Sequence, residues 1–170
     1  MRLRRKPWID EAIKDYSDFL HLESCESYKG KWRTLFKDPD APLWVELGTG
    51  KGNFISQMAQ IHKDVNFIGI EIQVVVLYYA GKKCAAAEVE NVQLLRFDVA
   101  RLEDIFAPGE VDRFFINFCD PWPKKRHAKR RLTYRGFLDR YARLLREGGH
   151  IYFKSDNAGL LDFTLGEFRE

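Results

Sequence analysis

The sequence is poor in the features that mark membrane, secreted or metal-clustering proteins. No apolar run in its 170 residues approaches the ~20 that a membrane span requires. The basic opening Met1–Trp8 leads into no apolar stretch, so no secretory leader is expected. Cysteine is scarce: Cys25, Cys84 and Cys119 are odd in number, scattered, and form no CxxC. That argues against a disulfide framework or a thiolate metal cluster, and for a reducing, cytoplasmic setting. His21, His62, His127 and His150 stand at no metal-ligand spacing, so no metal is expected. Internal repeats and low-complexity stretches are absent.

What is present suits one folded unit. Hydrophobic residues make up 45% and aromatics 14%, enough for a core, and mean hydropathy of −0.40 suits a soluble protein. The net charge of +3 conceals a division. Residues 1–6 hold four Lys/Arg and no acid, and residues 124–131 hold six and no acid. Removing these ten from 28 leaves 18 bases against 25 acids, a remainder of −7. A mildly acidic body with two concentrated basic patches points to a polyanionic partner met at a defined place.

Residues 1–42 read as a pre-domain segment. Ile9, Ile13, Tyr16 and Leu20 recur at helical spacing, predicting a helix over 9–22. Trp32, Leu35 and Phe36 suggest a second short helix before the turn-forming 38–42 stretch. From Leu43 onward short apolar runs alternate with helical patterns. Strands are predicted at 43–47, 66–70, 91–97, 112–118 and 150–154. Helices are predicted at 53–61, at 73–89, and after Thr133 as N-cap, the last stopping at Gly148-Gly149. Phe114, Phe115 and Phe118 read as sheet core. This alternation implies an α/β fold with a mostly parallel sheet and its ligand at the carboxyl ends of the strands. Each of those ends carries an acid or a glycine loop: Glu46 with Gly48 and Gly50, then Glu71, Asp98, Asp120 and Asp156.

The glycine loop Gly48-Thr-Gly-Lys-Gly52 follows a strand and opens a helix. It lacks the GxxxxGK[ST] phosphate-loop pattern, and its third glycine falls one residue early for GxGxxG. Glu71, ending the next strand, suits ribose hydroxyls, and Asp98 suits an adenine amine. Glu46 beside the loop favours a cationic ligand and would repel a pyrophosphate. The sign of that charge favours S-adenosylmethionine over a nicotinamide dinucleotide. A nicotinamide enzyme stays open as an alternative, separable by comparing the two ligands in a thermal-shift assay.

The sharpest motif is Asn117-Phe-Cys-Asp-Pro-Trp-Pro-Lys-Lys-Arg-His127. Its Asp120-Pro121-Trp122-Pro123 resembles the Asp-Pro-Pro-Tyr loop of amino-methyltransferases, in which prolines preorganise a strand-end turn. Trp122 either stacks on a base or packs within the loop. Lys124 starts the basic run, placing it beside the cleft where a phosphate backbone would pass. Together with Gly30-Lys-Trp32, Glu46–Phe54, Phe67–Glu71, Lys129–Leu132, Gly148-Gly149 and Lys154-Ser-Asp-Asn157, this motif resembles the bacterial tRNA (guanine-N7)-methyltransferase family, in order from Gly30 onward. The resemblance implies a class I S-adenosylmethionine-dependent, Rossmann-like fold and methylation of guanine 46 in the tRNA variable loop, with S-adenosylhomocysteine as product.

By the same resemblance, Glu46, Glu71, Asp98 and Asp120 are cofactor positions, and Asp120 is also the catalytic position. Lys124 and Asp156 contact substrate. Arg126, His127, Lys129, Arg130 and Arg131 contact RNA. Outside the resemblance, the basic stretch Arg2 to Lys6 reads from its charge as either an RNA-touching arm or a disordered terminus. Two departures stand out. Ser155 occupies a position that is usually Thr, and the family's later strands and Thr-x-Tyr-Glu motif are not found by Glu170. The expected layout is therefore a helical, basic segment 1–42 and a methyltransferase domain 43–170 lacking the last strands. Partners are tRNA and no membrane, with monomer and homodimer both open. The alternatives are a methyltransferase acting on another nucleobase position and a non-catalytic RNA-binding subunit of the same fold.

Overall fold

Apolar runs too short for helices and bounded by glycine or acids fold as strands, and here they all run the same way. The computed structural model describes Arg4 and residues 6–169. Among the described residues six strands, β1 (Leu20–His21), β2 (Leu43–Leu47), β3 (Asn66–Ile70), β4 (Val92–Leu95), β5 (Val111–Asn117) and β6 (Leu145–Lys154), form one sheet in the order β1-β4-β3-β2-β5-β6. Every neighbouring pair is parallel. The helices are α1 (Pro7–Ala12), α2 (Asn53–Ile61), α3 (Val74–Ala86), α4 (Arg135–Leu144) and α5 (Ala158–Arg169). None of the helices among the described residues is long and apolar enough to cross a membrane.

Side chains alternate across a strand, so β2, β3 and β5 each feed two cores. Trp44, Phe67 and Phe115 join the layer holding Ile9, Ile13, Ile55 and Leu77. Val45, Ile68, Phe114 and Ile116 join the layer holding Trp32, Phe106 and Tyr141. The described part of residues 1–42 packs into both layers. Trp32 is fully buried and donates Nε1 to the Ile105 carbonyl at 2.7 Å.

The strands at 43–47 and 66–70 and the helix at 53–61 fall where the sequence puts them, while the strands expected at 91–97, 112–118 and 150–154 run over 92–95, 111–117 and 145–154, and the larger differences lie elsewhere. The helix expected over 9–22 stops at Ala12 and continues as a 3-10 turn, Ile13–Tyr16, before the chain straightens. Sheet pairing overrides its helical spacing: Leu94 N–H donates to Phe19 O at 2.7 Å and Arg96 N–H to His21 O at 2.8 Å, so β1 covers the open edge of β4. A sheet of five strands thereby becomes six. Thr133 does not cap α4, which starts at Arg135 after Tyr134; its hydroxyl instead meets Thr164 at 2.7 Å, both residues buried. Gly148-Gly149 does not stop α4, which ends at Leu144 and passes straight into β6. The pair lies where the β5–β6 register shifts between Val111–Leu145 and Arg113–His150. Gly148 is left-handed there, and a Cβ at Gly149 would meet Asp112 O at 2.9 Å. Helix α5, which docks through Thr164, has no counterpart in the sequence reading.

Candidate active site at the strand ends

Because the strands are parallel, their carboxyl ends share one rim. The sheet order sets the candidate acids along it as Asp98, Glu71, Glu46, Asp120 and Asp156. The chain winds outward from β2 through β3 to β4 and returns to the other side of β2 with β5. The topological switch point, where α/β folds open a crevice, therefore lies between Glu46 and Asp120.

On one side the groups are tightly tied. Glu46 is 4% exposed, and its carboxylate accepts from the Thr49 hydroxyl and from Asn117 Nδ2 at 2.9 Å. Burial pushes its carboxyl up to about 7, against the pull of those two hydrogen bonds. Glu71 accepts from Gly50 N–H at 3.2 Å and from Gln73 N–H at 3.1 Å, joining the glycine loop to the start of α3. Asp98 uses Oδ1 to accept from Ala100 N–H at 2.9 Å. Thr49 and Asn117 stand inside the glycine loop and the Asn117–His127 motif, but the sequence reading names neither as a site residue, because their bonds to Glu46 exist only once the strands are side by side.

The glycines of the loop play two roles. Gly52 has φ +84°, and a Cβ there would meet the Ala80 Cα at 2.9 Å, so it lets the loop close against α3. Gly48 and Gly50 are also left-handed, yet a Cβ on either would meet nothing within 4 Å. They leave an open cradle at the switch point. Farther along the rim, past β3, a cavity of about 240 Å³ is lined by Leu22, Cys25, Glu26, Ile72, Phe97 and Asp98. The N-terminal segment thus walls the Asp98 side, a role its sequence does not announce. A larger cavity, about 440 Å³, lies at the amino ends of β3 and β4 beside Asn66 and Asn91 and contains none of the rim acids.

The Asp120 side is built differently. Phe118 and Trp122 are both left-handed, with φ +52° and +44°. Such conformations cost about 1–3 kcal/mol each in non-glycine residues and cluster at functional sites. The loop is held from outside. Phe118 N–H donates to Lys154 O at 2.9 Å, bringing Ser155 and Asp156 alongside. Arg131 donates Nε to the Pro121 and Trp122 carbonyls at 3.2 and 3.1 Å and Nη2 to Trp122 O at 3.0 Å. Its guanidinium lies 4.4 Å over the Phe163 ring of α5. Trp122 has Arg130 over its ring at 5.0 Å and His127 edge-on at 5.5 Å. Phe114 and Phe115 are core, but Phe118 is not: it is 65% exposed, because the left-handed turn ends the strand's alternation.

Residues 125–130 form an exposed 3-10 turn with Lys124 as its N-cap. Lys124, Lys125, Arg126, Lys129 and Arg130 make no ion pair among the described residues. Cys119 is pushed up to about 11 by burial, so its thiol stays protonated and unreactive. Arg2 and Arg5 of the expected arm lie outside the described residues, whereas Lys6 donates to Tyr79 OH at 3.2 Å.

A cationic adenosyl ligand fits this rim. The cradle has space where side chains would stand, Glu46 offers a carboxylate whose ionisation a positive charge would restore, and Glu71 keeps lone pairs for ribose hydroxyls. The comparisons agree. Residues 40–170 match the family model described as "Putative methyltransferase". A solved "antibiotic related Methyltransferase" superposes with TM-score 0.57 at 17% identity, covering 100% of this chain and 72% of its own. Fold and rim together define a class I S-adenosylmethionine-dependent methyltransferase. The tRNA (guanine-N(7)-)-methyltransferase of Bacillus subtilis (strain 168) is 48% identical over 100% of this chain and 79% of its own length. That of Geobacillus kaustophilus (strain HTA426) is 50% identical over 97% and 75%. The chain belongs to the tRNA (guanine-N7)-methyltransferase family.

Proposed function

We propose that this enzyme methylates N7 of guanine 46 in the variable loop of tRNA. One juxtaposition supports the reading best: a cradle for a cationic cofactor and a run of five cations that make no ion pair among the described residues, Lys124, Lys125, Arg126, Lys129 and Arg130, meet on the same strand-end rim, either side of the switch point. A polyanion held by Lys124, Arg126, His127, Lys129 and Arg130 runs past Asp120 and Asp156.

When bound, S-adenosylmethionine supplies an electrophilic methyl group on a sulfonium. Glu46, Gly48, Gly50, Glu71 and Asp98 hold it, Glu46 facing its positive charge. Guanine N7 carries an in-plane lone pair and loses no proton before attack, so the chain needs no strong base. Asp120 accepts from guanine N1–H or the 2-amino group, which orients the ring. Its carboxylate also favours the positive charge that develops on the purine. Lys124 contacts a phosphate or the guanine O6. Arg131, whose donors already serve the loop carbonyls, fits a frame role better than an RNA contact.

The test is transfer of labelled methyl to unmodified tRNA, followed by nucleoside analysis. The expected product is 7-methylguanosine, lost when guanine 46 is replaced by adenine. A label on another nucleoside, or undiminished turnover by Asp120→Ala, would overturn the reading.

A further inference from the structure

We infer that Phe118 is the face on which the target purine stacks, while Trp122 belongs to the frame of the loop. The inference deepens the proposed function and rests on it for the identity of the base. Phe114 and Ile116 point into one core and are 0% exposed. Strand alternation would send Phe118 into the same row. Instead its backbone turns left-handed and leaves the ring 65% exposed, with the amide pinned to Lys154 O. A left-handed phenylalanine is uncommon, and here it turns an aromatic ring out of the core.

The two aromatics of the loop differ in what already occupies them. Arg130 lies over the Trp122 ring, His127 meets it edge-on, and Arg131 holds its carbonyl. The Phe118 ring has no ring or cation contact among the described residues. Its neighbours suit a base. Asn117, just before it, holds Glu46 of the cofactor cradle, and Asp120 is two residues on. Asp156 lies two residues beyond Lys154, to whose carbonyl Phe118 N–H is bonded. A planar base on this ring would lie where the two sides of the rim meet. Stacking tolerates any base, so Phe118 would supply affinity and Asp120 the choice of guanine.

The test compares binding of unmodified tRNA, in the presence of S-adenosylhomocysteine, with binding of the same tRNA made abasic at position 46. Phe118→Asn removes the ring yet suits a left-handed backbone, and Phe118→Tyr keeps the ring. The wild type and Phe118→Tyr are expected to prefer the intact tRNA by about tenfold, the size of one stacked base. Phe118→Asn should reduce that ratio to near one and lower kcat/KM about tenfold or more. Its cofactor affinity and the salt dependence of tRNA binding should not change. A wild-type ratio near one would overturn the inference. So would a Phe118→Asn ratio equal to wild type, or loss of the ratio in Trp122→Leu alone. Methyl transfer to a different nucleotide would instead overturn the position read for the enzyme, which the nucleoside analysis reports separately.

Discussion

The two sides of the rim are made from the same parallel sheet but to different rules. Around β2, β3 and β4 the polar groups are tied to one another over short distances. Glu46 is buried against Thr49 and Asn117, and Glu71 bridges the glycine loop and α3. Around β5 and β6 the groups are exposed, the loop is strained, and its supports come from Arg131, which rests on Phe163 of α5, and from β6 at the sheet edge. On the proposed function, the difference follows from ligand size. A small cofactor is recognised by enclosing it with groups fixed in advance. A nucleic acid is met by cations left open to solvent and by a preorganised loop that presents a few contacts.

That contrast predicts where substitutions hurt. The largest effect should come from Gly52→Val. A Cβ 2.9 Å from the Ala80 backbone, at φ +84°, is expected to remove about 3 kcal/mol or more of stability by urea unfolding.

Glu46→Gln should separate stability from function. The folded carboxyl titrates near 7 and the unfolded one near 4.5. Stability from this group is thus present below pH 4.5 and is lost as pH rises to 7. The amide variant should be more stable than wild type at pH 8, by up to about 3 kcal/mol, and no more stable at pH 4. It should nevertheless bind S-adenosylmethionine about tenfold or more weakly by calorimetry, through loss of a charge pair in a buried site. Binding to the wild type near pH 6.5 should release a proton, which buffers of different ionisation heat would report.

On the other side, two neighbouring arginines should behave differently. Arg131→Ala frees the loop and is expected to lower kcat about tenfold, leaving the salt slope of tRNA binding unchanged. Arg130→Ala should raise KM for tRNA and reduce that slope by about one. Equal effects on slope would erase the distinction between frame and contact. The smallest effect belongs to Gly136→Ala within α4. A Cβ there meets only the Tyr134 ring at 3.5 Å, so stability should rise by up to about 1 kcal/mol. A loss would mean that α4 needs the glycine for a reason its contacts do not show.

Much of the fold was legible because its signals are local. The runs 43–47 and 66–70 end in glycine or acid, and their strands have those bounds. The helix over 9–22 failed because Leu20 and His21 answer to the edge of β4, residues more than 70 positions away. Thr133 failed as a cap because Thr164 offered a buried partner. Phe118 looked like core because its neighbours are, and only its backbone conformation removes it.

The sequence alone determined the alternation of strands and helices, the placement of Glu46, Glu71, Asp98, Asp120 and Asp156 at strand ends, and the Asp-Pro-Trp-Pro motif followed by its basic run. Periodicity and turn chemistry act over a few residues and can be read there. Only the tertiary structure decided that Asn117 would reach Glu46 across 71 residues of chain, that Arg131 would grip the loop while Arg130 stayed at the surface, and that residues 22–26 would wall the cavity beside Asp98. Those outcomes depend on which strand edges and helix faces meet, and that is settled by burial summed over the whole chain.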